Sequence, residues 1–372
     1  MIGVTKLLCG ATTPPDALRY RRDRARLPSQ AKKPVVVWNM TRRCNLRCLH
    51  CYLDAQTQGD EGELTTEEGK DLLDDLAAFG APVILFSGGE PLLREDLMDL
   101  GSHAVARGLR AVISTNGTLI TESLARRIRE AGFSYVGVSL DGIEATNDSF
   151  RGQRGAFAAA LKGIRNCREV GVRTGLRLTL SRRNLRDLPA ILDLLEEERI
   201  PRCCFYHLVY AGRAGRLREE DLGHDQTREA LDLIFERARL YHRRGVDLEI
   251  LTVDNHADGV YLYQDEATER RVAEEGVPLE VCPTSNLHIS GFMRTLADHP
   301  LRRYLELGIP VTLNTDNRLM SQTSSTEELH RVIEAFSLSK ETVKRILLAG
   351  ARAAFAPKAV KAALRERVEA AF

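Results

Sequence analysis

The sequence predicts an α/β fold in which parallel strands curl into a partial (β/α)6 barrel, followed by two further βα units. Short runs rich in β-branched and aromatic residues alternate with amphipathic helical segments from Pro34 onward. Strands joined through helices of this length require crossover connections, and right-handed crossovers produce a parallel sheet. The length of 372 residues allows either two domains or one large barrel.

Each element is predicted from its hydrophobic period and its flanking turn residues. The first six strands are predicted at 35–39, 82–87, 110–114, 135–140, 174–180 and 203–209. The helices between them are predicted at 65–79, 94–107, 121–131, 155–170 and 184–198. The first helix opens with Thr65 and Thr66 before Glu67 and Glu68, a pattern typical of a capped helix start. Residues 1–33 are predicted to be a solvated arm.

The alternation continues less regularly toward the end of the chain. Further strands are predicted at 247–253, 278–282 and 310–314, and further helices at 225–244, 265–275, 298–307, 325–336 and 340–355. The predicted domains are an arm over 1–33, a core over 34–263 and a C-terminal segment over 264–372. The join near Tyr263 has no Gly/Ser-rich linker, which a flexibly tethered domain would usually show.

The composition excludes several classes of protein. The chain has 53 basic and 52 acidic residues, which gives a net charge of +1. This balance argues against a main role in binding nucleic acid or an anionic membrane. A hydrophobic fraction of 43% is ordinary for a globular protein. No apolar run has the length of a membrane helix, and the start of the chain does not resemble a signal peptide. We therefore expect a cytoplasmic protein that acts on a small molecule.

Three of the eight cysteines fall within eight residues, directly after the first predicted strand. Cys44, Cys48 and Cys51 would lie on one tight loop at the carboxyl end of that strand. Three thiolates in this arrangement can ligate three irons of a 4Fe-4S cluster and leave the fourth iron open. The alternative is a structural zinc site with His50 or a distant residue as the fourth ligand. A disulfide framework is not expected in so large a chain without an export signal.

A glycine-rich turn follows the second predicted strand. Gly88, Gly89 and Glu90 would lie on the same rim of the barrel as the three cysteines. Glycines allow a ligand to approach the backbone closely, and a carboxylate beside them can receive an ammonium group. Read alone, this is an ordinary turn before a helix. Its combination with the cysteine triad about forty residues upstream makes it specific.

The triad together with the Gly-Gly-Glu turn resembles the radical S-adenosylmethionine superfamily. The resemblance covers residues 34 to about 263 and implies that Cys44, Cys48 and Cys51 hold one 4Fe-4S cluster. It also implies that Gly88, Gly89 and Glu90 hold the methionyl end of S-adenosylmethionine. Further cofactor contacts are implied at Thr115, Asn116, Ser139, Asp141 and Arg177.

Four segments are similar to the branch of that family that acts on sirohaem-derived tetrapyrroles, namely 33–44, 150–157, 205–212 and 251–259. This implies reductive cleavage of S-adenosylmethionine to a 5′-deoxyadenosyl radical, which takes hydrogen from a tetrapyrrole side chain. An electron donor such as ferredoxin or flavodoxin would be a partner. Candidate catalytic or substrate-contacting residues are His207, Tyr210, His256 and Arg213.

Residues 265–372 resemble the last quarter of adenosine deaminase, a zinc-dependent (β/α)8 hydrolase. Asp316 matches its zinc-ligating aspartate, but none of the nine histidines forms the His-x-His or His-x-x-Glu pattern of that family. A catalytic zinc needs about three protein ligands, so we expect neither zinc nor deamination. Relatives in the tetrapyrrole branch end in a cysteine-rich region, whereas Cys282 is the one cysteine after Cys204 here, so no second cluster is expected.

Two hypotheses account for the hybrid chain. The two βα units of the tail could dock against the first and sixth strands and complete an eight-stranded barrel. Alternatively, the chain is an accidental fusion whose cluster-binding part has lost its activity.

Overall fold

A computed structural model describes residues 2–10, 33–59, 62–255, 257–263, 273–274, 276, 278–290, 293–315, 323–354 and 356–372. The chain divides into two compact units, and the boundary lies between residues 256 and 257. None of the helices in the described part of the chain has the length and apolar composition needed to cross a bilayer.

The first unit contains one sheet of eight strands. They are β1 (Ile2–Gly3), β2 (Val36–Asn39), β3 (Val83–Ser87), β4 (Arg110–Thr115), β5 (Tyr135–Ser139), β6 (Thr174–Thr179), β7 (Arg202–Tyr206) and β8 (Glu249–Val253). Their spatial order is β1-β8-β7-β6-β5-β4-β3-β2, and every ladder from β2 to β8 is parallel. The predicted α/β class and the first six predicted strands are confirmed, and β8, which matches the strand predicted at 247–253, is the seventh parallel strand.

Helices connect these strands, as the sequence period predicts. They are α1 (Val4–Cys9), α2 (Thr66–Phe79), α3 (Leu97–Ala106), α4 (Glu122–Glu130), α5 (Ala145–Arg151), α6 (Ala156–Glu169), α7 (Leu188–Glu197) and α8 (His224–Arg243). The predicted start of α2 is confirmed, because Thr65 Oγ1 accepts a hydrogen bond from the Glu68 amide and the Glu68 carboxylate accepts one from the Thr65 amide. The short helix α5 is not among the predicted elements.

The predicted solvated arm is wrong for residues 2–10. Strand β1 pairs antiparallel with β8, with Ile2 opposite Thr252. Val4 and Leu8 of α1 are buried, and Thr5 Oγ1 accepts a hydrogen bond from the amide of Ile250. The nine residues are too few to show a helical or strand period, so the sequence gives no signal for them. The rest of the predicted arm, from residue 11 to residue 32, lies outside the described residues.

The second unit has a parallel pair of strands and six helices in its described part. They are α9 (Ala257–Tyr263), β9 (Leu279–Val281), α10 (Pro283–Ser290), α11 (Leu301–Glu306), β10 (Val311–Leu313), α12 (Ser325–Phe336), α13 (Lys340–Ala353) and α14 (Lys358–Ala371). Its core is an apolar cluster around Leu301, Val311, Val332 and Ile346. The predicted helix at 265–275 lies almost entirely outside the described residues.

The hypothesis of barrel closure needs correction. The two strands of the tail were expected to pair with the first and sixth strands of the core, which are β2 and β7. Strand β7 already has β6 on one side and β8 on the other, so its ladder positions are occupied. Strands β9 and β10 form a two-stranded sheet of their own, and no described strand other than β3 pairs with β2.

Candidate functional site

A cavity of about 760 Å³ lies in the first unit, inside the curve of the sheet. Its lining comes from the inner faces of the strands and from the loops at their carboxyl ends, where ligand sites of parallel sheets usually lie. Most of the predicted site residues line this one cavity: Cys44, Cys48, Cys51, Gly88, Gly89, Thr115, Asn116, Ser139, Asp141, Arg177, His207 and Arg213. The fold therefore brings these predicted residues together around one cavity.

The three cysteines lie on the loop that follows β2, and all three are free thiols. Backbone amides point at two of the sulfurs: Leu46 donates to Cys44 Sγ at 3.4 Å and Ala55 donates to Cys51 Sγ at 3.3 Å. Burial raises the pKa of Cys44 to about 11, so the free thiol stays protonated at neutral pH. Amide donors at cysteine sulfurs favour a metal-bound thiolate and are one means of tuning an iron–sulfur cluster.

The arrangement of the thiols distinguishes a cluster from a zinc ion. Among the described residues, no group of three or more His, Cys, Asp or Glu side chains converges closely enough to hold one metal ion. In a 4Fe-4S cluster each cysteine binds a different iron, so the sulfurs do not converge on one point. His50, the local candidate for a fourth zinc ligand, instead lies with Nε2 3.3 Å from Asp141 Oδ2. His50 is therefore engaged with Asp141, and the three thiols on one loop are the donor set that a 4Fe-4S cluster uses.

Buried donors without acceptors surround the cysteine loop. His50 Nδ1, Arg151 Nε and Arg213 Nη2 are all buried and have no hydrogen-bond partner within the described structure. Buried polar atoms nearly always have a partner in a native protein, and each exception calls for an explanation. A cluster bound by three thiolates is anionic, and a group of this charge is what the two orphaned guanidinium donors, Arg151 Nε and Arg213 Nη2, can accommodate.

Gly88 and Gly89 allow the chain itself to pack closely, in addition to lining the cavity. The Gly89 amide donates to the carbonyl oxygen of Thr41 at 2.7 Å, and the Glu90 amide donates to that of Arg43 at 2.8 Å. A Cβ atom at position 89 would lie 2.3 Å from the Arg43 oxygen, and Gly88 has a φ of 135°. The turn thus anchors the segment that leads directly into Cys44.

Glu90, which the resemblance assigned to the methionyl end of S-adenosylmethionine, is fully buried and does not line the cavity. Its carboxylate accepts hydrogen bonds from Thr115 Oγ1 at 2.7 Å, the Asn116 amide at 2.8 Å and the Leu92 amide at 3.0 Å. Burial raises its pKa to about 7 in spite of these donors. The carboxylate therefore joins the ends of β3 and β4, and Thr115 and Asn116 reach the cavity from the same junction.

Asp141 and Arg151 form a buried ion pair beside the cysteine loop. Burial opposes the charge of Asp141, but Arg151 and then His50 outweigh it and hold the pKa of Asp141 well below its usual range. Arg151 Nη1 also donates to Cys48 Sγ at 3.5 Å. The sequence reasoning predicted Asp141 and considered His50 only as a zinc ligand, and it missed Arg151, although Arg151 lies inside the segment 150–157 that resembles the tetrapyrrole branch.

The remaining candidates lie in different surroundings. Arg213 lines the cavity, but its guanidinium bonds to the cysteine loop through the Cys48 carbonyl oxygen at 2.8 Å. His207 also lines the cavity. Tyr210 is 47% exposed, is not part of the lining, and its hydroxyl bonds to Asp221. His256 and Asp316 lie outside the described residues.

The wall of the cavity away from the cysteines was not predicted. Val83, Val112 and Tyr135 form a buried apolar cluster there. Two further groups of this wall, Arg202 and Cys204, come from β7. The inward-facing residues of a strand can be recognised in a sequence only when apolar and polar residues alternate. These strands are buried on both faces, so their sequences do not alternate and do not reveal which residues face inward.

Comparison with known proteins places this geometry in a family. The family model of the Radical SAM superfamily matches residues 38–195. The Fe-coproporphyrin III synthase of Methanosarcina barkeri is 61% identical over 269 residues, which are 71% of this chain and 67% of that protein. The pre-heme d1 synthase of Dinoroseobacter shibae is 46% identical over 243 residues, 65% of this chain and 60% of that protein.

The chain belongs to the radical SAM superfamily. Its fold agrees with this: SuiB of Streptococcus suis, in a crystal structure bound to S-adenosylmethionine, matches with a TM-score of 0.52 and 17% identity over 62% of this chain and 52% of that one. The chain spans about two thirds or less of the length of the curated relatives it matches. The radical SAM core is therefore the part of those relatives that this chain shares.

The C-terminal part of this radical SAM protein has a different relationship. The family model of adenosine deaminase matches residues 247–371, which confirms the predicted resemblance of the tail. That match begins at β8, the last parallel strand of the radical SAM sheet. The described residues of the tail supply no convergent set of metal ligands. In sequence, the similarity comes without the His-x-His and His-x-x-Glu patterns of that family.

Proposed function

We propose that this chain is a radical SAM enzyme that modifies a side chain of a tetrapyrrole in haem or haem d1 biosynthesis. The observation that carries the proposal is one continuous cavity that joins the three cysteines to an apolar wall. Two similar relatives are named Fe-coproporphyrin III synthase and pre-heme d1 synthase, which supports a tetrapyrrole substrate. The cytoplasm is the compartment that we propose.

Three cysteines would hold the cluster, and the loops around them would hold S-adenosylmethionine. Cys44, Cys48 and Cys51 are the proposed cluster ligands, and the backbone at Gly88 and Gly89 is the proposed contact of the methionyl group. When bound, these two groups supply a one-electron reductive cleavage that produces the hydrogen-abstracting 5′-deoxyadenosyl radical. An electron donor of the ferredoxin or flavodoxin class would have to deliver that electron.

The protein's own part is to orient the reactants and keep water out. Ser139, Thr115 and Asn116 line the cavity near the cysteine loop and are proposed contacts of the cofactor. The fully buried pair of Asp141 and Arg151 keeps this end of the cavity rigid while presenting a guanidinium to Cys48. Glu90 holds the ends of β3 and β4 together from a buried position outside the cavity lining, through its bonds to Thr115 and Asn116.

The shape and polarity of the cavity suit a macrocycle with acidic side chains. Its volume of about 760 Å³ falls within the range of roughly 300–1,000 Å³ that is typical of small-molecule sites. Val37, Tyr52 and Val209 line it although they are 52%, 51% and 47% exposed, so the mouth is apolar. Exposed apolar groups around a pocket mark ligand-binding surfaces. A flat apolar ring can cover such a mouth while its carboxylates reach polar groups inside.

The test is an anaerobic assay of the purified full chain. We expect iron and sulfide in a ratio that fits one 4Fe-4S cluster, and 5′-deoxyadenosine when S-adenosylmethionine and a strong reductant are added. We expect Cys48→Ala to abolish both, and Cys282→Ala, which changes a cysteine outside the cavity, to leave both intact. A sirohaem derivative should accelerate formation of 5′-deoxyadenosine and should itself lose a side chain.

The assay also separates the alternatives. Zinc in place of iron and sulfide would indicate a structural metal site and overturn the proposal. A cluster without any 5′-deoxyadenosine would indicate the inactive fusion. Conversion of adenosine to inosine, lost on Asp316→Ala, would establish the hydrolase that we do not expect.

A further inference from the structure

Three arginines lie on the side of the cysteine loop that faces away from the cavity. Arg43 and Arg47 each precede a cysteine of the triad by one residue, and Arg154 lies in the turn between α5 and α6. These three residues, the arginine patch, are all exposed, and none of them lines the cavity. The adjacent Cys44 and Cys48 do line it. The cysteine loop therefore has the cavity on one side and the arginine patch on the other.

The turn that carries Arg154 packs directly on the cysteine loop. The Arg47 amide donates to the carbonyl oxygen of Arg151, at the end of α5, at 3.2 Å. An added Cβ atom at Gly152 would lie 2.9 Å from the Arg47 carbonyl oxygen, so a side chain here would force the two segments apart. Gly152 also has a φ of 67°, which favours glycine. The loop after β2 and the turn after α5 thus form one continuous surface.

The charges of the arginine patch are not compensated within the described structure. None of the ion pairs among the described residues includes Arg43, Arg47 or Arg154. The carboxylates on the same two segments are engaged elsewhere: Asp54 pairs with Arg213 at 2.9 Å, and Asp148 accepts hydrogen bonds from backbone amides at the start of α6. Because the whole chain has a net charge of only +1, this excess of positive charge is local.

We propose that the arginine patch is the docking surface for an acidic electron-donor protein of the ferredoxin or flavodoxin class; this inference rests on the proposed radical SAM function. Arg47 is exposed and is joined covalently to Cys48, so a protein seated on Arg47 lies one residue away from a proposed cluster ligand. A donor in this position also leaves the cavity free for the cofactor and the substrate.

The physics of electron-transfer complexes suits such a surface. These complexes are small and short-lived, and complementary charge brings the partners together more than buried apolar area does. Guanidinium groups match the carboxylates of an acidic partner in geometry as well as in charge. In the transfer itself one electron leaves the reduced donor and enters the oxidised cluster. The donor is thereby oxidised and the cluster reduced by one electron, and no atom changes place.

The test measures donor binding and electron transfer with the reconstituted full-length chain under anaerobic conditions. The probe is an acidic flavodoxin, used oxidised for calorimetric binding and reduced for stopped-flow reduction of the cluster. For Arg47→Glu/Arg154→Glu we expect the affinity and the second-order rate of reduction to fall about 10- to 100-fold at low ionic strength. At 1 M salt, where the Debye length is about 3 Å, wild type and variant should agree within about twofold.

Two controls separate docking from other effects of the substitutions. Arg127→Glu/Arg173→Glu makes the same change in net charge at exposed positions on α4 and before β6, where no ion pair of the described structure is lost, and should behave as wild type. Photoreduced 5-deazariboflavin, a small uncharged reductant, should reduce wild type and both variants at equal rates. Fluorescence of Trp38, the single tryptophan, and the iron content report whether each variant is folded and loaded.

The possible outcomes separate this inference from the function on which it rests. Unchanged flavodoxin binding and reduction in Arg47→Glu/Arg154→Glu, or equal losses in the control pair, would overturn the inference. Slower reduction by deazariboflavin would also overturn it, because the variant would then have damaged the cluster site itself. Weaker binding of iron coproporphyrin III with intact flavodoxin binding would overturn it and assign the patch to carboxylates of the substrate.

Failure of the proposed function has a different signature. A wild type whose cluster is reduced by flavodoxin through the arginine patch, but which forms no 5′-deoxyadenosine, rejects the proposed function and supports the docking surface. A wild type that binds no cluster rejects both.

Discussion

Arg213 Nε donates a 2.8 Å hydrogen bond to the carbonyl oxygen of Cys48, although 165 residues separate the two in sequence. The same guanidinium reaches Asp54 Oδ1 at 2.9 Å and the Ala55 carbonyl oxygen at 2.7 Å. Its residue follows β7, whereas the cysteine loop follows β2, and four strands lie between these two in the sheet. The contact therefore joins the loops of two distant strands above the cavity.

This contact predicts how firmly the cysteine loop holds metal. In Arg213→Met three hydrogen bonds are lost, each with a net contribution of about 1 kcal/mol. We expect cluster loss to an iron chelator to become at least about tenfold faster, measured by the decay of the cluster's visible absorbance. Arg216→Met, at an exposed position of the same segment, is the matched control and should behave as wild type. Equal decay rates in the two variants would show that Arg213 does not brace the loop.

The pair of Asp141 and Arg151 makes a prediction about stability. Arg151→Met leaves a buried carboxylate without its partner, and this kind of change costs about 3–5 kcal/mol of unfolding free energy. The double variant Arg151→Met/Asp141→Asn removes both charges and should recover much of that loss. Urea unfolding, followed by the fluorescence of Trp38 on β2, measures the unfolding free energy of the single and the double variant. If the double variant is no more stable than the single one, the ion pair is not what holds this region.

The close packing of Gly89 predicts a steric effect that does not involve any ligand. A methyl group at position 89 would overlap the Arg43 carbonyl group, so Gly89→Ala must displace the segment before Cys44. We expect a loss of about 1–3 kcal/mol in unfolding free energy, as for other overpacked sites, and less iron per chain after reconstitution. Gly62→Ala is the control, because no atom lies within 4 Å of its added methyl group. Normal iron content in Gly89→Ala would argue against the anchoring role.

A buried histidine makes the second unit sensitive to acid. His299 is 4% exposed, its Nδ1 accepts from the Leu301 amide at 3.1 Å, and burial lowers its pKa to about 4. The unfolded chain takes up a proton below about pH 6.5, while the folded chain stays neutral until about pH 4. Stability present above pH 6.5 is therefore lost as the pH falls toward 4, by up to about 3 kcal/mol.

Hydrogen exchange of the Leu301–Glu306 helix, followed by mass spectrometry and corrected for intrinsic rates, measures this effect. The histidine-free comparison is His299→Gln, whose protection should not fall over the same pH range. A wild type and a variant that lose protection in parallel would show that another group is responsible.

The sequence was most informative where chemistry depends on residue type and spacing. The cysteine triad and the glycine turn were identified from local patterns and Asp141 from the family resemblance, and they line or adjoin one cavity. The roles of Arg151 and His50 depend on contacts between distant segments, Arg151 with Cys48 across 103 positions and His50 with Asp141, which no local pattern reports. The glycines were interpreted as space for a ligand, but Thr41 and Arg43 occupy part of that space.

The prediction of the fold was limited in the same way, because local patterns do not report contacts between distant residues. Six βα units were correct because each has its own hydrophobic period, and the class follows from their alternation. The pairing of β1 with β8 and the separate pairing of β9 with β10 are tertiary facts. A total of eight βα units suggested that the barrel closes. The number of strands, however, does not specify which strand edges are free to pair with another strand.

The pairing of Ile2 with Thr252 has a consequence for how the protein is made. The ribosome delivers chains from the N-terminus, and segments begin to fold as they emerge. Strand β1 must wait until residue 253 has been synthesised, because its only described ladder is with β8. During translation its two residues and the helix behind them have no sheet edge to join. The ladder between β1 and β8 can therefore form only after all the parallel strands have been synthesised, although β1 precedes them in the sequence.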